Sequence, residues 1–221
     1  GAGASGLMAG CQARAAGCSV LVLDHNEKPG KKLYITGKGR CNLANACSLE
    51  EFLANVPRNP RFLHSALRCL GVDALRDLLS ANGCPTMVER GQRVFPQSQK
   101  ASDVTRALTG CLGSENLRLR SGADSLLMED GQVYGAKLAD GQELRAKAVI
   151  LATGGLSYPL TGSTGDGHRM AREAGHAVSG LYPSLTGFDT EDPWMPGLKG
   201  LTLKNVALSA SWSGKNRFSQ Q

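Results

Sequence analysis

Small and apolar residues recur at helical spacing from Leu7 to Gly17 (LMAGCQARAAG), and the run closes on a glycine placed to end a helix. The next apolar run, Ser19 to Asp24 (SVLVLD), is short and aliphatic and ends in an acid, so it reads as a strand. A glycine turn, a helix and a strand within the first 24 residues are the body of a βαβ unit. Between Glu27 and Asn45 the periodicity stops and Gly, Lys and Asn accumulate, the composition of a long functional loop. Helical spacing returns from Ser48 to Cys84 in SLEEFLANV, FLHSALRCLG and VDALRDLLSANG, which predicts a small helical excursion. Another helix is predicted over Ala101 to Gly113 (ASDVTRALTGCLG), with Ser102 or Asp103 as its N-cap.

The period then changes from helix to strand. NLRLRS, DSLLMED, QVYGAKLAD and QELRAKAVILA are separated by Asp130-Gly131 and Asp140-Gly141, and each pair favours a tight hairpin turn. A three-stranded meander follows. The run AVILA (residues 148–152) is continuously apolar, the pattern of a strand buried on both faces. It enters a second glycine-rich loop, TGGLSYPLTGSTGDG, and then the helical HRMAREAGH. After Leu185 the alternating LTLKNVALSASW reads as strands of a different unit. The predicted fold class is α/β: a Rossmann-like FAD-binding domain with a β-meander and a small helical excursion, plus the start of an inserted β-rich domain. The expected division is 1–185 for the first, with its first strand outside the sequence, and 186–221 for the second, cut short.

Composition narrows this picture only a little. The chain has 221 residues, 41% hydrophobic and 20% charged, which is ordinary for a globular protein. Its formal net charge is +6, and part of the excess lies in EKPGKKLYITGKGR, a stretch suited to an anionic ligand. No aromatic-interleaved basic stripe or nucleic-acid motif is recognisable, so nucleic acid is not an expected partner. The seven cysteines form no C-x-x-C and have no histidines at zinc-ligand spacing, so no metal is expected and the thiols read as reduced and cytoplasmic. No apolar run approaches the roughly 18 residues of a membrane span.

The chemistry begins at GAGASG, a complete G-x-G-x-x-G. Gly1 allows the tight turn, Gly3 lets the backbone approach a pyrophosphate, and Gly6 permits close helix–strand packing, while Ala4 and Ser5 sit at the helix start beside the phosphates. Alone this motif is weak. Here it is followed by a helix, a strand and then Asp24, an acid placed to hydrogen-bond a ribose, with His25 and Asn26 next to it. The long loop after Asp24 favours FAD over a nicotinamide dinucleotide, because a flavin has more surface to cover. Lys32, Thr36, the Gly37–Gly39 turn, Arg40, Cys41 and Asn42 would lie along the flavin side. Ala152, Thr153, Gly154 and Gly155 end the apolar run where a dinucleotide would pass, and Asp166 is placed to accept from a polyol. Ser5 does not satisfy G-x-S-x-G and there is no P-loop, which argues against a hydrolase or a nucleoside triphosphatase.

Four blocks, GAGASGLMA, NEKPGKKLYITGKGRCNLAN, GQRVFPQSQKASDV and ILATGGLSYPLTGSTGDGHRMAREAGH, together resemble one bacterial group. It is the NAD(P)/FAD-dependent oxidoreductase family that includes aminoacetone oxidase-like and BaiN-type flavoproteins. The resemblance covers most of residues 1–185 and is most specific at GKKL-x-x-TGKGRCN. It implies FAD as the tightly held cofactor, NAD(P)H as a candidate electron donor, and a small-molecule substrate. It also implies a strand ahead of Gly1 and a segment returning to the flavin after residue 221, and hence weak FAD binding by these residues alone. Asp24 stands where the family more often has glutamate, which keeps the carboxylate. No catalytic acid or base is singled out. Cys41 and His168 are candidates for chemistry, but a small buried thiol and a helix-start imidazole account for them more simply, and Tyr158 and Tyr182 fit packing near a proline equally well. Two other functions stay open: a nicotinamide-only dehydrogenase, and a non-catalytic nucleotide-binding module with a protein or RNA partner.

Overall fold

The computed structural model describes residues 1–185, 187, 189–203, 206, 208–211 and 217–220. The chain divides into two compact units, Gly1–Gly180 and Leu181–Gln221.

Helix α1 (Ala4–Ala15) follows the glycine turn and leads to strand β1 (Val22–Leu23), which pairs in parallel with β5 (Leu117–Arg118). α1 ends as the sequence requires. Gly17 takes φ +80°, its N–H bonds to Arg14 O, and Cys18 N–H reaches back to Ala13 O, which together satisfy the last carbonyls in a Schellman cap. Gly10 sits mid-helix, where glycine is costly, because a Cβ there would lie 2.8 Å from Leu112 Cδ1 and 2.9 Å from Val22 Cγ2. The small residue lets α1 approach both the strand and helix α5 (Ala101–Leu112).

α5 is the pillar of the first unit. It buries Val104, Thr105, Ala107, Leu108 and Leu112 against Leu7 and Cys11 of α1 and Leu79 of the helical excursion. Each fully buried aliphatic side chain contributes about 1.5–3 kcal/mol. Its N-cap is Lys100, which makes no side-chain cap bond, and not Ser102 or Asp103. Asp103 instead lies in the first turn, where a hydrogen bond from Ser98 holds its carboxyl below the usual range.

The excursion consists of α2 (Leu49–Ala54), α3 (Pro60–Cys69) and α4 (Val72–Ala81), with Ser48 capping α2 through Glu51 N–H. A three-stranded antiparallel sheet follows, in the order β2 (Ala44–Asn45), β4 (Arg93–Pro96), β3 (Thr86–Glu89). The sequence pattern does not announce this sheet. Met87 and Val88 on β3 are exposed, so the apolar positions do not mark a buried face. Its turn also places a glutamine, Gln92, at φ +57° where an Asn-Gly pair would have been conspicuous.

The meander forms as expected: β6 (Ala123–Glu129), β7 (Gln132–Leu138) and β8 (Glu143–Arg145) pair antiparallel in order. Asp130 and Gly131 take φ +48° and +75°, the left-handed pair of a tight hairpin. Gly135 lets β8 approach, since a Cβ there would lie 2.2 Å from Leu144 O. The prediction for AVILA fails. Residues 148–152 make no ladder among the described residues, and Ile150 is 65% exposed. An apolar run becomes a buried strand only where neighbours supply hydrogen bonds along its edges, and no described strand flanks this one. α6 (Asp166–Glu173) then starts two residues before the predicted His168.

In the second unit, β9 (Leu208–Ser211) and β10 (Arg217–Gln220) pair antiparallel. Part of the predicted strand run, residues 204, 205, 207 and 212, lies outside the described residues, and residues 201–203 form no strand.

Candidate functional site

Gly3 is the N-cap of α1, extended at φ −80° and without a side chain to cap the helix. The N–H groups of Ala4, Ser5 and Gly6 therefore head the helix with no preceding turn to accept from them. The first intrahelical bond runs from Leu7 N–H to Gly3 O. A Cβ on Gly3 would meet nothing within 4 Å, so the space over the turn is open. Gly1 and Gly6 are the opposite case. A Cβ on Gly6 would lie 1.8 Å from Gly1 O, and one on Gly1 would lie 2.4 Å from Ala152 O. The turn is open where an anion would approach a helix dipole and closed where backbone meets backbone.

Asp24, at the end of β1, clamps this turn. One carboxylate oxygen accepts from Ala2 N–H at 2.5 Å, and the other accepts from the N–H and Nδ2 of Asn26 at 2.8 Å each. Asn26 Nδ2 also reaches Thr161 O, and a Cβ on Gly162 would press on the side chains of Asn26 and His25. Gly30 N–H donates to Ala2 O at 2.8 Å, and Lys32 Nζ donates to Ser157 O at 2.7 Å and to Ser163 Oγ at 2.6 Å. A Cβ on Gly154 would be 2.6 Å from that same Ser163 Oγ, while Gly155 faces open space. A Cβ on Gly167 would meet Thr153 Oγ1. Residues 1–6, 24–32 and 152–167 are thus one hydrogen-bonded assembly. Gly30 and Ser163 belong to it as well, beyond the residues the sequence pattern marks. The Pro-Gly dipeptide was the available signal for Gly30, and nothing local marked Ser163.

The 36–42 turn is built differently. Gly37, Lys38 and Gly39 all take positive φ, and a Cβ on Gly37 would lie 2.8 Å from Asn42 N and 2.9 Å from a Phe95 ring carbon. Thr36 Oγ1 donates to Leu33 O, and Thr36 O accepts from Cys41 N–H. The Arg40 guanidinium does not point at an open phosphate position. It bonds to Glu89 Oε1 at 2.9 Å and Gln99 Oε1 at 2.7 Å, and lies 4.1 Å from the centre of the Phe95 ring. Arg40 fastens the turn to β3 and β4. Because this site uses the planar fork and the ring together, Arg40→Lys is expected to cost about 1–2 kcal/mol, read as a lower urea midpoint with an unchanged slope. Asn42 is exposed at the turn's end. Asp166 is engaged locally, accepting from Thr164 Oγ1 in the preceding loop at 2.5 Å and facing Arg169 of its own helix at 3.7 Å.

Cys41 is fully buried, and burial pushes its thiol above the ordinary range despite a hydrogen bond with Thr36. Cys11 is pushed up to about 12, by burial first and by its neighbour Cys111 second. A protonated, enclosed thiol is a poor nucleophile. Alkylation of the native protein by iodoacetamide should therefore mark the exposed Cys18 and Cys69 first and reach Cys41 only on unfolding. Labelling of Cys41 at the rate of Cys69 would contradict its burial.

His168, in the first turn of α6, carries a buried Nδ1 that has no hydrogen-bond partner among the described residues. It lies 4.0 Å from where a Cβ on Gly165 would stand. A buried polar atom left unpaired is costly unless something outside the described residues completes it. Open space over Gly3 and Gly155, and helix-start N–H groups without partners among the described residues, are features that a large polar dinucleotide would satisfy.

Residues 1–209 match the HI0933-like protein Rossmann domain. The chain belongs to that family. The flavoprotein oxidoreductase group to which the sequence blocks pointed is the one found. The chain is 32% identical over 187 residues to a 3-dehydro-bile acid delta(4,6)-reductase of Clostridium scindens, covering 84% of this chain and 45% of that protein. It is 29% identical over 218 residues to a ribosomal RNA dihydrouridine synthase of Escherichia coli, covering 98% and 53%. The corresponding Haemophilus influenzae protein is 31% identical over 228 residues, covering 100% and 55%. The chain therefore spans about half the length of the curated relatives it matches. An adenylylsulfate reductase from Archaeoglobus fulgidus shares the fold, with a TM-score of 0.55 at 22% identity over 79% of this chain and 35% of that one. Among the described residues no helix is long and apolar enough to cross a membrane, and no cluster of His, Cys, Asp or Glu is placed to hold a metal ion.

Proposed function

We propose that residues 1–180 hold FAD and that the protein is a flavin-dependent reductase. The observation that carries this is the hydrogen-bonded joining of the glycine turn, the Asp24 clamp and the second glycine loop, with Gly3 and Gly155 each facing open space. In this reading the N–H groups of Ala4, Ser5 and Gly6 hold the pyrophosphate, and the segment from Asp24 to Asn26 flanks the adenosine ribose. Lys32 keeps the second loop, with Thr153 to Gly155, closed over the cofactor's far side. The turn from Thr36 to Asn42 supplies backbone on the flavin side, with Arg40 and Cys41 fixing its shape, and Asp166 and His168 close the flank at α6. Bound FAD would supply the two-electron hydride chemistry that no side chain provides.

The relatives' names support one substrate class. One relative is a reductase of delta(4,6) unsaturation in a 3-dehydro-bile acid. The other two are synthases of dihydrouridine, which is uridine with two hydrogens added. In each case a carbon–carbon double bond conjugated to a carbonyl becomes saturated. We take a compound of that class as the substrate and NAD(P)H as the electron donor. The whole protein should bleach its flavin absorbance under NADH or NADPH without oxygen, and recover it when a conjugated enone is added. Bleaching by dithionite but by neither nicotinamide would remove NAD(P)H from the account. Recovery with no enone or uracil derivative tested would remove the substrate class.

A further inference from the structure

The segment from Phe52 to Val72 contains no aspartate or glutamate, yet carries Arg58, Arg61, His64 and Arg68. Helix α3 places Arg61, His64 and Arg68 at spacings of three and four residues, hence on one face, with about 10 Å along the axis between the two arginines. All three side chains are exposed, as is Arg58 just ahead of the helix. Elsewhere in the first unit many cations are neutralised, for example Arg14 by Glu115, Arg106 by Asp103 and Arg169 by Glu173. Arg58, Arg61 and Arg68 have no such partner among the described residues. Beside them stands Phe62, 85% exposed, an uncommon state for a phenylalanine. Residues Arg58 to Leu63 together line an open concavity of about 840 Å³.

From this surface we propose a binding site for single-stranded RNA on α3, with a base stacked on Phe62 and phosphates held by Arg58, Arg61 and Arg68. Guanidinium groups suit phosphates, and an isolated exposed ring suits a base freed from its stack. A purely acidic peptide would use the charge but leave the ring idle. A membrane surface would require an apolar face with more than one large exposed residue, and along α3 Phe62 alone is of that kind. This inference goes beyond the flavin reading and stands without it. The sequence concealed the site because its one aromatic lies within an otherwise ordinary amphipathic helix, and only the fold leaves that ring uncovered.

The test is fluorescence anisotropy of a labelled single-stranded uridine-rich RNA with the full chain, across a range of salt concentrations. Replacing Arg58, Arg61 and Arg68 together by glutamine should flatten the slope of log affinity against log salt by about 2, near the value for three phosphate contacts on a single strand. Phe62→Ala should weaken binding about tenfold with the slope unchanged. Circular dichroism of both variants should match the parent, because these side chains are exposed. Parent-like affinity and slope in the triple variant would overturn the proposal. So would tighter binding to anionic vesicles or a polyglutamate peptide than to RNA. Flavin absorbance, read in the same samples, reports separately on the cofactor site.

Discussion

Gly6→Ala will weaken the whole protein's hold on FAD. The added methyl carbon would fall 1.8 Å from Gly1 O and 3.2 Å from Ala152 Cβ, against backbone that cannot step aside alone. Either the turn opens and its N–H groups lose their common aim, or α1 shifts from its seat on Val22 and Leu112. Overpacking of this kind costs about 1–3 kcal/mol, so affinity for FAD should fall roughly 10- to 100-fold. Gly3→Ala is the control. Its Cβ meets no protein atom, so the fold should hold while the space reserved for the ligand narrows. Thermal unfolding should then separate the two variants: Gly6→Ala lowers stability and affinity together, and Gly3→Ala lowers affinity alone.

Asp24→Ala should be the more damaging change to the unliganded protein. It removes the acceptor for Ala2 N–H and both acceptor bonds of Asn26, leaving half-buried donors unpaired. Charge-assisted bonds of this kind, discounted for partial exposure, place the loss at about 2–4 kcal/mol, or roughly 5–15 °C in melting temperature. Asp24→Asn should rescue little. An amide offers one oxygen, and turning it toward Ala2 presents an NH2 to Asn26, where two donors already point. A melting temperature for Asp24→Asn equal to that of the parent would show that the clamp contributes little.

These two residues also mark what the sequence made legible. The glycine turn, the acid after the first strand, the helix ended by Gly17 and the Asp130-Gly131 hairpin are local. Each depends on a φ angle or a cap that neighbouring residues impose, so each could be read from a few letters. What escaped depends on distant partners. Arg40 looked like a phosphate ligand because its loop is basic, but Glu89, Gln99 and Phe95, far along the chain, take its guanidinium. Lys32 kept its place at the site but acts through Ser157 and Ser163. Hydrophobicity alone marks AVILA as a buried strand, and hydrophobicity does not specify who supplies the ladder. The β2–β4–β3 sheet is hidden for the converse reason, since its exposed Met87 and Val88 blur the alternation.

The central claim is that the Gly1–Gly6 turn, the Asp24 clamp and the 152–167 loop together form a site for FAD. The most direct measurement is the flavin content of the whole protein, purified, reconstituted with excess FAD and freed of unbound cofactor. Equimolar FAD per chain, released intact on denaturation, is expected, together with a Gly6→Ala variant that retains far less. A parent protein that stays colourless, or a Gly6→Ala variant that binds as much as the parent, would contradict it.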